Sequence, residues 1–147
     1  MALSDVLRVN EVAVLPGNHP LCRKTALDPQ DFAGERFISL ASEDPYRVAI
    51  DALFAHRQVV RITAMETASA VAACAMVRQG LGLTIVNPLT ALELSGPDLV
   101  VRPLTVAIPF QVSLLLPQVT APHPAREALM VALERTAKDL VEQTGLR

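Results

Sequence analysis

Three short stretches set oxygen-bearing side chains where an apolar run hands over to a helical rhythm. They are Ser39, Ser42, Glu43 and Tyr46 in SLASEDPY, then Glu66, Thr67 and Ser69 in ETAS, and Asn87 in VNP. Hydroxyls and amides at a helix start can hydrogen-bond a ligand carboxylate, beside the free N–H groups of the first turn. Glu43, Asp44 or Glu66 can instead receive a cationic group. A cleft assembled from such parts suits a small zwitterion. Each junction taken alone is also explained by capping: Asp44 stands before Pro45, and Asp or Thr at that position accepts from the first-turn backbone. Three polar junctions in succession shift the balance toward a pocket.

Other patterns carry less chemistry. The GLG at 80–82 follows a helical segment and precedes an apolar run, the reverse of the strand–glycine–helix order of a dinucleotide loop. Gly80 reads better as the residue that stops the helix. His19, His56 and His123 are far apart and form no HxxxH or HExxH spacing, so capping or surface positions are expected. Cys22 and Cys74 form no CxxC or Cys/His ligand set. They read as two reduced thiols, with Cys74 buried on a helix. Ser69 and Ser113 lack a nucleophile-elbow context. Arg57, Arg61 and Arg78 are scattered and read as solvated faces. No catalytic dyad or metal cluster emerges, and neither an enzyme nor a cofactor is expected.

Bulk composition narrows the class further. The 147 residues are 51% hydrophobic and 19% charged, which favours a packed core over disorder. With a formal charge of −2 and few aromatics, the chain has neither a basic surplus for phosphates nor stacking platforms for bases. The first residues carry an early Asp5 and Arg8 and do not resemble a signal peptide. Apolar tracts are interrupted at Gln79, Pro109, Gln111 and Pro117, short of the roughly 18 residues a membrane span needs. The expectation is a cytoplasmic protein without a membrane partner.

The elements that must position these junctions follow from periodicity. Strands are expected at 10–16, 36–40, 59–65, 81–86, 99–105 and 110–117. Helices are expected at 45–57, 67–80 and 87–94, with a helical turn at 28–34 closed by Gly34 and a long amphipathic helix at 122–145. Strands and helices alternate between about 36 and 105, which predicts an α/β fold with a largely parallel sheet. In such sheets ligands sit beyond the carboxyl ends of the strands, where the three junctions lie.

The wording of several segments resembles the effector-binding region of the LysR-type transcriptional regulators. EVAVLPGNHPL is similar to that family's strand and Leu-Pro-x-x-His-Pro-Leu turn, DFAG to its short helix, and AMVRQGLGLTIVNP to its Val-x-x-Gly-x-Gly helix end and following strand. Leu15 to Leu21, Asp31 to Gly34 and Val77 to Pro88 match in order and spacing, over roughly residues 10–140. SLASEDPYR and RQGLGLTIVNPLTALE resemble more narrowly the octopine- and nopaline-responsive regulators. The resemblance implies a periplasmic-binding-protein-like (type 2) effector domain, with one complete α/β subdomain at 16–104. Residues 1–15 and 105–147 would supply crossover strands and part of the other subdomain.

In that family a winged helix-turn-helix, a linker helix and the first half of the effector domain precede this region. The chain is therefore expected to be the C-terminal half, touching DNA only through a helix-turn-helix it lacks. The implied partner is an amino acid, opine or small carboxylate held by Ser39, Ser42, Glu43, Tyr46, Glu66, Thr67, Ser69 and Asn87, with Glu43 or Glu66 facing the basic end. Leu114, Leu115, Leu116, Leu129 and Leu133 are expected to form an exposed apolar patch that drives homo-oligomerisation, most simply a dimer. Three other readings remain: a transport solute-binding protein, a small α/β enzyme, and a folded remnant without ligand.

Overall fold

The computed structural model describes residues 2–117 and 123–145. In chain order the strands and helices are β1 (Ala2–Asn10), β2 (Val12–Pro16), β3 (Arg36–Leu40), α1 (Pro45–His56), β4 (Ile62–Thr67) and α2 (Ala70–Arg78). There follow β5 (Thr84–Val86), α3 (Pro88–Glu93), β6 (Leu99–Pro103), β7 (Pro109–Leu116) and α4 (Pro124–Thr144). Short 3-10 turns occupy Pro20–Arg23 and Pro29–Phe32. The chain forms two units, one from Glu11–Ile108 and one from Met1–Asn10 with Pro109–Arg147.

Within Glu11–Ile108 the strands run in the order β4-β3-β5-β2-β6. β3 and β4 are parallel. β5 joins β3 by a parallel bridge between Phe37 and Leu83, in which Leu83 donates to the Arg36 carbonyl at 2.8 Å and Ile38 to the Leu83 carbonyl at 2.8 Å. This close approach depends on Gly82, where a Cβ would lie 2.7 Å from the Arg36 oxygen. β2 is antiparallel to both β5 and β6. The sheet is thus largely parallel, as its alternating order predicts, but β2 runs against the rest. All five residues of β2 are buried, the pattern of a strand covered on both faces.

Period two assigns the faces. Ala13, Leu15, Phe37, Leu83 and Ile85 join Ile50 and Phe54 of α1 and Phe32 in one core cluster. Phe32, Phe37 and Phe54 pack with ring centroids 5.5–5.9 Å apart. The opposite face meets α2, whose Ala73, Cys74 and Val77 are buried. Arg61 departs from the expectation of a solvated face. Its side chain is only 10% exposed, and its guanidinium lies 4.7 Å over the Phe37 ring and 4.5 Å over that of Phe54. Aromatic faces attract a cation, and the flat guanidinium stacks on them.

Local signals explain the helix ends. Pro45 opens α1 with a φ suited to a first turn. Gly80 takes φ +75° just past α2, a left-handed value that costs glycine little. The α2 helix begins at Ala70 rather than at 67, because Thr67 is still the last residue of β4.

In the other unit β1 pairs antiparallel with β7, and α4 packs on β1. Strand β1 is not among those expected from periodicity, which begin at residue 10. A bulge between Asp5 and Leu7 breaks the register, so the alternation is interrupted where it would have been visible. The expected leucine patch is reduced: Leu115 and Leu129 are exposed, whereas Leu114, Leu116 and Leu133 are half-buried. Leu115 is instead flanked by its register partner Leu3, both about two-thirds exposed. Among the described residues no helix is long and apolar enough to cross a membrane.

Candidate functional site

The carboxyl ends of β3, β4 and β5 open on one edge of the sheet, and α1, α2 and α3 start there. Register places Ser39 beside Glu66 and Leu40 beside Thr67. The three polar junctions are therefore gathered along one edge. Their side chains differ in how far they are committed. Asp44 caps α1, accepting from the backbone of Tyr46 at 2.8 Å and of Arg47 at 3.4 Å. Ser69 caps α2 by accepting from Ala72, and Asn87 caps α3 by accepting from Thr90 at 2.9 Å. Thr67 takes the Ser69 N–H at 3.3 Å. Ser69 rather than Thr67 is the α2 cap.

The acidic residues are also sorted. Glu66 is bound by Arg47 at 3.0 Å, and Arg47 in turn reaches the Leu40 carbonyl and Asp51. Its charge is already answered. Ser42 and Glu43 are exposed in the turn before α1. Hydrogen bonds from its own backbone N–H and from the Ser42 hydroxyl hold the Glu43 carboxyl below its usual range. Tyr46 is half-buried. Ser39 is fully buried, and its Oγ has no hydrogen-bond partner among the described residues.

One residue at this edge was missed by the sequence reading. Because β2 runs against its neighbours, its amino end reaches the edge where the others end, and Glu11 stands there. Glu11 is 1% exposed, and neither carboxyl oxygen is hydrogen-bonded among the described residues. Its backbone N–H donates to the Ile108 carbonyl at 2.8 Å. By period two it shares a face with Ala13 and Leu15, the face that also carries Ser39 beyond Phe37. Burial, reinforced by the Asp44 carboxylate, pushes Glu11 up to about 8, so the group is largely neutral at pH 7. The one hint in the sequence is an acid directly against a wholly apolar run.

A cavity of about 500 Å³ lies at the opposite edge, lined by Pro16, Gly17, Arg78, Gly80 and Asp98 among others. Its charges are spent on each other, since Arg78 pairs with Asp98 at 3.0 Å and donates to the Leu94 carbonyl at 2.6 Å. His19 caps the turn at Pro20–Arg23, accepting from Leu21. Among the described residues no cluster of three or more His, Cys, Asp or Glu could hold a metal. Cys22 and Cys74 are free thiols.

The model of the LysR substrate binding domain matches residues 4–138. The chain belongs to the LysR substrate-binding domain family. The transcriptional activator protein LysR of Escherichia coli (strain K12) is 50% identical over 114 residues, covering 78% of this chain and 37% of that protein. Regulatory protein NocR of Agrobacterium tumefaciens (strain T37) is 28% identical over 133 residues, covering 90% of this chain and 44% of that protein. This LysR-family chain thus spans less than half the length of either relative. The regulatory domain of CcmR from Synechocystis PCC6803, in complex with 2-PG, superposes with a TM-score of 0.74 at 18% identity, over 93% of this chain and 67% of that one. The effector binding domain of QuiR, in complex with shikimate, gives 0.67 at 20% identity, over 94% and 66%. The fold is the periplasmic-binding-protein-like α/β architecture of LysR effector domains.

Proposed function

We propose that this chain is the small-molecule-sensing portion of a LysR-type transcriptional regulator, holding a small zwitterion at the carboxyl edge of the sheet. The observation that carries the reading is the gathering of three capped helix starts on that edge beside Ser39, whose hydroxyl is buried and unpartnered. Helix N–H groups with Ser42 and Thr67 would receive the carboxylate end. Amino acids, opines and small carboxylates are the candidate ligands, and the domain recognises its ligand without turning it over. The unit Glu11–Ile108, slightly wider than the 16–104 expected from the sequence, forms the sensing subdomain, with Met1–Asn10 and Pro109–Arg147 as part of the other subdomain. In the longer protein, ligand binding shifts a conformational equilibrium felt by a DNA-binding helix-turn-helix in a cytoplasmic homo-oligomer, most simply a dimer.

A thermal-shift screen of the chain against those compound classes tests this. A ligand at about 100 times its Kd stabilises the folded state by about 2.7 kcal/mol. A shift that is lost in Ser42→Ala or Thr67→Ala supports the site. A cooperatively melting sample that responds to none of the compounds overturns it.

A further inference from the structure

We propose that Glu11 is the counter-ion for a positively charged nitrogen of the ligand, with Ser39 contacting an adjacent polar group of the same molecule. The inference rests on the ligand site proposed above and changes which residue meets the basic end. Glu66, an obvious candidate by residue type, is held by Arg47 at 3.0 Å. Glu43 is exposed to solvent, where an ion pair adds little. Glu11 differs from both. It is buried, and neither carboxyl oxygen has a donor within the described residues.

Buried acceptors without a donor are rare in folded proteins and costly to leave so. Among the described residues no cation donates to this one. Arg47, in the first turn of α1, is committed to Asp51, Glu66 and the Leu40 carbonyl. The neighbouring end of β5 carries Val86 and Asn87, and residues 103–108 beside the start of β2 carry no charge. Among the described residues the charged group that bears on Glu11 is Asp44, which is also an acid. A ligand carboxylate would be repelled from this corner, whereas an ammonium or guanidinium would supply the missing donors.

Ser39 lies on the same face of the sheet, two strand spacings away across β5, or about 10 Å between backbones. That span suits one small molecule touching both side chains. Its Oγ is also without a partner, so two unsatisfied groups on one face are met together. The exchange balances in protons: the neutral carboxyl of Glu11 gives its proton to solvent, and the resulting carboxylate pairs with the cationic nitrogen. Binding therefore tightens as pH rises toward 8, the value to which burial and Asp44 lift this group.

The test uses the whole chain and two sets of probes. L-Lysine, L-ornithine and L-arginine carry a side-chain cation; succinate and shikimate carry no nitrogen. The nitrogen-bearing set should raise Tm, and Glu11→Gln should weaken its binding by about tenfold or more while melting no lower than the parent. Calorimetry at pH 7 in two buffers of different ionisation enthalpy should show proton release on binding by the parent and none by Glu11→Gln. Carboxyl-carbon NMR of the empty protein should show one glutamate, missing in Glu11→Gln, that titrates near 8.

If succinate or shikimate binds as well as the cations, and equally to both proteins, this inference falls and the ligand site stands. If the NMR titration places Glu11 in the ordinary carboxylate range, the inference falls alone. If nothing binds to a cooperatively melting sample, both fall.

Discussion

Two carboxylates of the same unit are treated in opposite ways. Asp51, on α1, accepts from Arg47 at 2.6 Å and from Arg61. Arg47 extends the series to Glu66, and Arg61 is stacked over Phe37 and Phe54. Burial acts to raise the Asp51 pKa, but its hydrogen bonds and charge pairing with the two arginines outweigh it and hold the carboxyl below its usual range. Glu11, on the other side of β5, is more deeply buried and has no arginine partner among the described residues. The chain has cations to spare for an ion-pair ladder along α1 and β4 and places none at Glu11. A fold that satisfies one acid twice over and leaves another bare has a corner shaped for something other than its own stability, as strained or unsatisfied groups at binding sites commonly are.

The sharpest way to separate the two is pH. Glu11 has an ordinary value of 4.5 and is pushed up to about 8 in the fold. Below 4.5 it is protonated in both folded and unfolded chains. Between 4.5 and about 8 the unfolded chain gives up the proton and the folded one keeps it, so stability falls as pH rises through that window. In urea titrations, Glu11→Gln should gain on the parent by on the order of 4 kcal/mol between pH 4.5 and pH 9. Parallel pH profiles for the two proteins would show that the corner is not a buried acid.

Asp51 should behave with the opposite sign, its stabilisation present at neutral pH and lost as pH falls through its lowered pKa. Asp51→Asn should cost about 2 kcal/mol at pH 7, because Arg61 stays buried with its carboxylate gone. That deficit should shrink as the parent is acidified toward pH 3. A deficit unchanged by acid would mean that packing, not charge, ties Arg61 down.

Asp44 links the two regions, since it caps α1 and raises the pKa of Glu11. Asp44→Ala should cost about 1 kcal/mol through the lost cap, and NMR should show Glu11 titrating lower than in the parent. Ser39→Ala is the smallest change. Removing an unpartnered buried hydroxyl should leave stability within about 0.5 kcal/mol. A larger loss would reveal a partner for the hydroxyl and remove Ser39 from the candidate site.

Much of the frame was readable from residue types. RFISL is a strand from Arg36 to Leu40 as its composition predicts, and Pro45 and Gly80 bracket helices as proline and glycine do. The capping roles of Asp44 and His19 follow from short-range stereochemistry. The three junctions share an edge because strands that alternate with helices run parallel. Arg61 departs from its expected solvated face because its stacking over Phe37 and Phe54, on two other elements, leaves no periodic trace. β1 was missed because a bulge cancels the alternation that identifies a strand.

By itself the amino-acid sequence determined the α/β class, the family resemblance and the polar character of the three helix starts. These depend on neighbours within a few positions, where propensity, capping and periodicity act. Which charges are answered was decided only by the tertiary structure. Glu66 finds Arg47 and Asp51 finds Arg61 from different elements, beyond the reach of helix or strand periodicity. Glu11 reaches the site edge because β2 runs against its neighbours, and strand direction is set by long-range pairing rather than by any residue in NEVAVLP. An acid at the end of an apolar strand reads the same in either orientation; only the sheet around it determines whether it meets water or a ligand.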